Sequence, residues 1–198
     1  MRTAARAGIG WRTLAWALAL SALVTPRATA IGRPDREYAI KAAFLYHFGN
    51  YVQWPPEDCP TDKDRFVIGV IGDDPFGPAL DAIAEAKAIQ GRKVLVRRFA
   101  SVQACTHCHI VFVARSATAT LTDLPEPPWG THALVVSDVP GMASRGAVVS
   151  FFTLANKVRF EVNPAAAKRA GLKISSKLLR LARIVQDERS AVRHEVVP

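Results

Sequence analysis

Four short runs rich in β-branched and aromatic residues occupy the middle of this chain: Arg65 to Ile71 (RFVIGVI), Lys93 to Phe99 (KVLVRRF), His109 to Ala114 (HIVFVA) and Ala133 to Ser137 (ALVVS). Between them lie stretches long enough for crossover connections. This alternation restricts the fold more than any other feature, because strands joined by crossovers lie parallel and a parallel sheet must be covered on both faces. Further along, Ala147 to Leu154 (AVVSFFTL) and Lys157 to Val162 (KVRFEV) are separated by Ala155 and Asn156 alone. So short a link permits only an antiparallel hairpin. The expected fold is α/β, a three-layer sandwich with a mostly parallel sheet, an antiparallel C-terminal hairpin and flanking helices.

The helices have their own signals. Ile40, Phe44, Phe48 and Val52 recur every four residues between Glu37 and Trp54, with Tyr38, Leu45 and Tyr51 beside them, and Pro55 and Pro56 end the pattern. Gly72-Asp73-Asp74-Pro75 reads as a turn into a helix capped by Asp74, with Pro75 in its first turn, running to Lys87. Ser116 caps a short helix before the proline-rich DLPEPPWG, and Asn163-Pro164 opens a helix that Gly171 ends. Ser175 or Ser176 caps a last helix, with Leu178, Leu179, Leu181, Ala182, Ile184 and Val185 as its apolar stripe.

The N-terminus reads as a secretory signal. Arg2, Arg6 and Arg12 precede the apolar run Leu14 to Val24, and Ala28-Thr29-Ala30 supplies the small residues of a cleavage site after Ala30. The run is too short to span a bilayer, which takes roughly 20 apolar residues. The expected organisation is a cleaved signal over 1–30, a single domain over 31–185 and a charged tail over 186–198, in a soluble exported protein. The formal charge of +9 drops to about +5 when Arg2, Arg6, Arg12 and Arg27 leave with the signal. The remaining cations are scattered, with no aromatic-rich basic stripe, so nucleic acid is not an expected partner.

The sharpest local motif is Cys105-Thr106-His107-Cys108-His109, the CxxCH pattern of c-type haem attachment. A strand follows at once and leaves little room for a macrocycle, so an exported haem protein ranks last among the readings. Zinc lacks an obvious fourth ligand. A disulfide among Cys59, Cys105 and Cys108 is the plainer reading in an oxidising compartment, and three cysteines leave one over. Gly69 to Gly77 (GVIGDDPFG) lacks the Lys-Ser/Thr of a phosphate loop and reads as a strand-to-helix turn. No nucleophile elbow occurs, and no catalytic residue, metal or cofactor is expected. His47 and His132 read as packing residues.

In the hairpin, alternation directs Val158, Phe160 and Val162 to the core and Lys157, Arg159 and Glu161 to water or a ligand. Arg159, Glu161 and Lys173 could place opposite charges around one polar ligand. On this reading, loss of the Glu161 side chain spares the fold.

Over nearly all of the mature region the chain resembles the YfiR family, also known as DUF4154. The resemblance lies in YAIKAAFLYHFGNYVQW (38–54) with Pro55, in IGVIGDDPFG, in CHIVFV and above all in VRFEVNPAAAKRAGLKISSKLLRL (158–181). It implies a periplasmic regulator without catalysis, one that represses an inner-membrane diguanylate cyclase by binding its periplasmic portion. The residues it implies for a polar ligand or partner are Arg159, Glu161 and Asn163 in the RFE-N segment, and Lys173, Ser175, Ser176 and Lys177 in the GLKISS segment. A homodimer stays open. The cysteines depart from the family pattern: Cys108 keeps its place, while Gly69 stands where its disulfide partner is expected. A small-molecule binding module without a protein partner, using the crevice at the strand ends, is the alternative function.

Overall fold

A computed structural model describes residues 33–55, 64–121 and 132–186. The signal segment with its cleavage after Ala30, Cys59, the DLPEPPWG stretch and the tail beyond Gln186 lie outside the described residues. The chain runs α1 (Arg33–Tyr51), β1 (Val52–Gln53), β2 (Arg65–Ile71), α2 (Pro78–Ala86), β3 (Ala88–Ile89), β4 (Arg92–Phe99), β5 (Ile110–Val113) and β6 (Leu134–Ser137). It continues through β7 (Val149–Leu154), β8 (Lys157–Val162), α3 (Pro164–Arg169), β9 (Lys173–Ile174), α4 (Ser176–Leu179) and β10 (Arg183–Ile184).

Eight strands form one sheet in the order β10-β8-β7-β6-β5-β2-β4-β3, and β1 pairs antiparallel with β9 in a second, two-stranded sheet. The run from β4 through β2, β5 and β6 to β7 is parallel throughout. The hairpin of β7 and β8 is antiparallel, in a register that sets Ser150 opposite Glu161 and Phe152 opposite Arg159. Ala155 and Asn156 turn it with φ of 48° and 58°, the mirror-image turn whose twist suits a two-residue hairpin. The α/β class, the mostly parallel sheet and the C-terminal hairpin are therefore present.

The pleat sends alternate residues of β2 into two cores. Phe66, Ile68 and Val70 join Leu45, Phe48, Leu80, Phe112, Phe151 and Phe160 in the larger one, to which all four helices contribute. Val67 and Ile71 join Val102, Cys105, Cys108, Val111 and Val113 in the smaller one. Cover on this second face comes from the 3₁₀ turn Val102–Ala104, the cysteine loop after it and Ala117 of the 3₁₀ helix Arg115–Leu121.

Three boundaries differ from the sequence reading for identifiable reasons. α1 ends at Tyr51 because Val52 and Gln53 leave it to pair with Ile174 and Lys173. α2 begins at Pro78, not at Asp74, whose carboxylate accepts from the Phe76 N–H at 2.8 Å and from Arg98 Nε at 2.6 Å. The expected C-terminal helix is one turn long: after Leu179 the chain straightens, and Arg183–Ile184 adds as a parallel edge strand to β8. Only Leu178 of its apolar stripe is fully buried, and Leu181 and Ile184 are 69% and 51% exposed.

α3 follows its signals closely. Asn163 Oδ1 accepts from the Ala166 N–H, and Pro164 occupies the first turn. At its end the Leu172 N–H reaches the Ala167 carbonyl and the Gly171 N–H that of Lys168, the paired bonds of a Schellman motif. Gly171 has φ of 67°, and a Cβ there would stand 2.7 Å from His132 Nδ1, which donates to the Ala170 carbonyl. Both conformation and space call for glycine.

Candidate functional site

The side chains singled out in the sequence divide into three groups. Glu161 is the largest correction: it is 4% exposed, not outward to water. Its carboxylate accepts from Ser150 Oγ at 2.8 Å across the hairpin and is ion-paired with Arg183 of β10. Ser150 Oγ in turn accepts from the Ala143 N–H, and the Asn163 amide donates to the Ala143 carbonyl at 2.7 Å. Glu161, Ser150 and Asn163 thus pin the 138–147 loop against the outer side of the hairpin. Arg183 also lies over the Phe152 ring at 4.2 Å.

Ser175 is half-buried and committed to capping α4, accepting from the Leu178 N–H. Arg159, Lys173, Ser176 and Lys177 are exposed and free to meet another molecule. Arg159 and Lys173 do not join Glu161 around a common centre. Among the described residues no hydrogen bond or ion pair links the three, and the cation at Glu161 is Arg183, which the sequence reading had placed in a helix. His47 is exposed, with ring contacts to Tyr46 and Tyr51, rather than packed inside.

The cysteine loop has a geometry of its own. Cys105 and Cys108 are 0% and 5% exposed, with their sulfurs 3.4 Å apart. The hydrogen bond between them holds the Cys108 thiol below its ordinary range, with Arg97 adding to the effect, and the Cys105 thiol above it. Gly69 of β2 abuts both: a Cβ there would stand 2.8 Å from Cys108 Sγ and 3.2 Å from Cys105 Sγ. The two sulfurs thus fill the space that a side chain at Gly69 would need.

His109 closes the haem reading. It is 2% exposed, stacked on Phe66 at 4.5 Å between ring centres, and its Nδ1 accepts from the Val67 N–H at 3.0 Å. Buried thiols and an engaged imidazole leave no face for a macrocycle. Among the described residues no three His, Cys, Asp or Glu side chains converge as a metal site would require.

One buried polar cluster escaped the sequence reading. Lys41 of α1, 4% exposed, pairs with Glu37 at 2.7 Å and lies 3.9 Å from Asp138, which follows β6. Tyr38 donates to Asp138 Oδ2 at 2.7 Å, while Asp138 Oδ1 is buried with no hydrogen-bond partner among the described residues. The signal was present: Lys41 falls between Tyr38, Leu45 and Phe48, on the face of α1 read as apolar.

Burial, with Arg92 at 2.9 Å from Nε2, pushes the His109 imidazole down to about 4. The unfolded imidazole takes up a proton below about 6.5, so between those values the unfolded state binds more protons and stability rises with pH. This contribution is complete above pH 6.5 and is lost as the pH falls toward 4. Urea unfolding at pH 5 is expected to give about 2 kcal/mol less stability than at pH 7 from this group alone. In His109→Gln that part of the slope disappears, and an unchanged slope would clear His109 as its cause.

Glu161→Ala removes the acceptor of both Ser150 and Arg183 from an enclosed position. Its expected cost is about 1–3 kcal/mol in chemical denaturation. A variant as stable as the native protein would return Glu161 to the list of purely surface residues.

A family model described as YfiR/HmsC-like matches residues 38–183 of the chain. No curated protein matches it.

Proposed function

The chain belongs to the YfiR/HmsC-like family, and from that premise we propose that it represses an inner-membrane diguanylate cyclase by binding that enzyme's periplasmic portion. The family is regulatory and non-enzymatic and acts from the periplasm on diguanylate cyclases. Export with cleavage after Ala30, and repression by direct contact, are the finer parts of our reading. The observation that carries it is the extent of the match, from α1 to the first residue of β10. No described helix is long and apolar enough to cross a membrane.

A regulator without chemistry acts through differential affinity: it shifts the cyclase only by as much as it prefers the inactive state. The residues available for that contact are the exposed Arg159, Lys173, Ser176 and Lys177. Glu161, Asn163 and Ser175 act behind them by holding the hairpin, the 138–147 loop and the starts of α3 and α4 in place. We expect Lys173→Glu/Lys177→Glu to raise cellular cyclic di-GMP toward the level of a strain lacking the protein, with its periplasmic abundance and thermal stability unchanged. Equal cyclic di-GMP with and without the protein would defeat the regulator reading.

The thiol pair supports a second part of the proposal, a disulfide between Cys105 and Cys108. A disulfide-bearing oxidoreductase would be attacked by the Cys108 thiolate, and Cys105 would then displace its reduced sulfur. One S–S bond forms here and one breaks in the oxidant, which leaves as a dithiol with two electrons and two protons. The sulfurs close from 3.4 Å to about 2.05 Å. In protein alkylated under denaturing conditions straight from the periplasm, peptide mapping should find Cys105 and Cys108 linked and unalkylated until reductant is added. Alkylation of both without reductant, or a bridge from either one to Cys59, would refute this pairing.

A further inference from the structure

Between Pro164 and Leu181 the sequence carries Lys168, Arg169, Lys173, Lys177 and Arg180 and no aspartate or glutamate. All five cations are exposed. Among them lies an open groove of about 360 Å³, walled by Ala167, Leu172, Ile174 and Leu179, whose charged lining residues are Lys168 and Lys173. Neither lysine has an ion-pair partner among the described residues, so pairing them with an incoming carboxylate breaks no bond. α3, β9 and α4 build the groove, and the Schellman turn at Gly171 and the pairing of β9 with β1 fix its shape.

We propose that this groove receives an acidic, amphipathic segment of the regulator's protein partner, with an apolar side chain on the groove wall and carboxylates flanking it at Lys168 and Lys173. This inference rests on the regulator reading above and adds the chemistry of the segment recognised. Charge selects the occupant. A second copy of the mature chain carries a formal charge of about +5 and would bring a net positive surface to a basic face. A small hydrophilic anion would leave the apolar walls in water, whereas an amphipathic segment buries them and pairs both lysines.

The test uses a fluorescein-labelled dodecapeptide in which Leu and Phe alternate with Glu, and a counterpart with Lys in place of every Glu. Phosphatidylcholine vesicles with and without phosphatidylglycerol are the third probe. The acidic peptide is expected to bind saturably by anisotropy, and Lys168→Glu/Lys173→Glu to weaken it about tenfold. The same double variant should gain affinity for the lysine peptide, a gain that an unfolded protein would not show. The proposal is overturned if the acidic peptide does not bind, if it binds the double variant equally well, or if only anionic vesicles respond to the two lysines. Cyclic di-GMP measured in cells carrying the same variant separates the two readings. Intact repression with peptide binding lost removes the groove alone, and intact peptide binding in a protein with no effect on cyclic di-GMP removes the regulator.

Discussion

Burial of β2 on both faces is the constraint on which the rest of the structure depends. Beyond the exposed Arg65 at its start, β2 has every side chain enclosed and satisfies its backbone through its neighbours, so β4 and β5 flank it in parallel and both faces need cover. The large aromatic side chains settle which face receives the helices. Phe48 of α1 packs between Phe151 and Phe160, at 5.8 and 5.2 Å between ring centres, and Tyr38 and Phe112 both meet Phe76. The opposite face has smaller side chains on β2 and β5 and is closed by the cysteine loop. That loop is consequently a structural element, and a change at Cys105 or Cys108 acts directly on the packing of Gly69.

The same reasoning gives the C-terminal third its two layers. The inward side of the hairpin, Phe151, Phe160 and Val162, belongs to the large core. Its outward side would be solvent-exposed in an isolated hairpin, yet the 138–147 loop and Arg183 cover part of it. Covering that side required a polar core, since Ser150 and Glu161 stand opposite each other there. A buried carboxylate is tolerable only with donors on its oxygens, and both Glu161 oxygens have one.

Much of this was legible in the sequence because the signals were local. Arg65–Ile71 and Lys157–Val162 begin and end where the residue pattern says they do, and Asn163, Pro164 and Gly171 bracket α3 through caps that depend on a few consecutive residues. The misreadings at the C-terminal stripe, Glu161 and Lys41 were decided at long range. Leu178, Leu179, Leu181 and Ile184 have helical spacing, but whether that stripe has a surface to dock on depends on where β8 leaves an open edge, and here the edge takes Arg183 and Ile184 as a strand. Alternation placed Glu161 correctly on the outward side of the hairpin. It could not show that the 138–147 loop, well upstream in the chain, folds over that side, and Lys41 was hidden for the same reason, its partner Asp138 lying 97 positions away.

These corrections change what the family resemblance can mean residue by residue. The RFE-N and GLKISS segments read as one binding surface in the sequence, but the structure divides the work within each: Arg159 is exposed beside the enclosed Glu161, and Ser175 caps α4 beside the exposed Ser176. Glu161 and Asn163 fix the backbone from inside, while Lys173, Ser176 and Lys177 present an exposed basic face. A segment can keep its sequence for either reason, so resemblance alone does not distinguish a residue that touches a partner from one that positions it. Burial does distinguish them. A side chain enclosed on all sides can influence affinity only by changing the shape or strength of what lies outside it, and its loss must appear in stability as well as in binding. On our proposal, then, contact with a partner falls to the exposed cations and the apolar groove among them, while the buried Glu161 acts on the hairpin and the 138–147 loop.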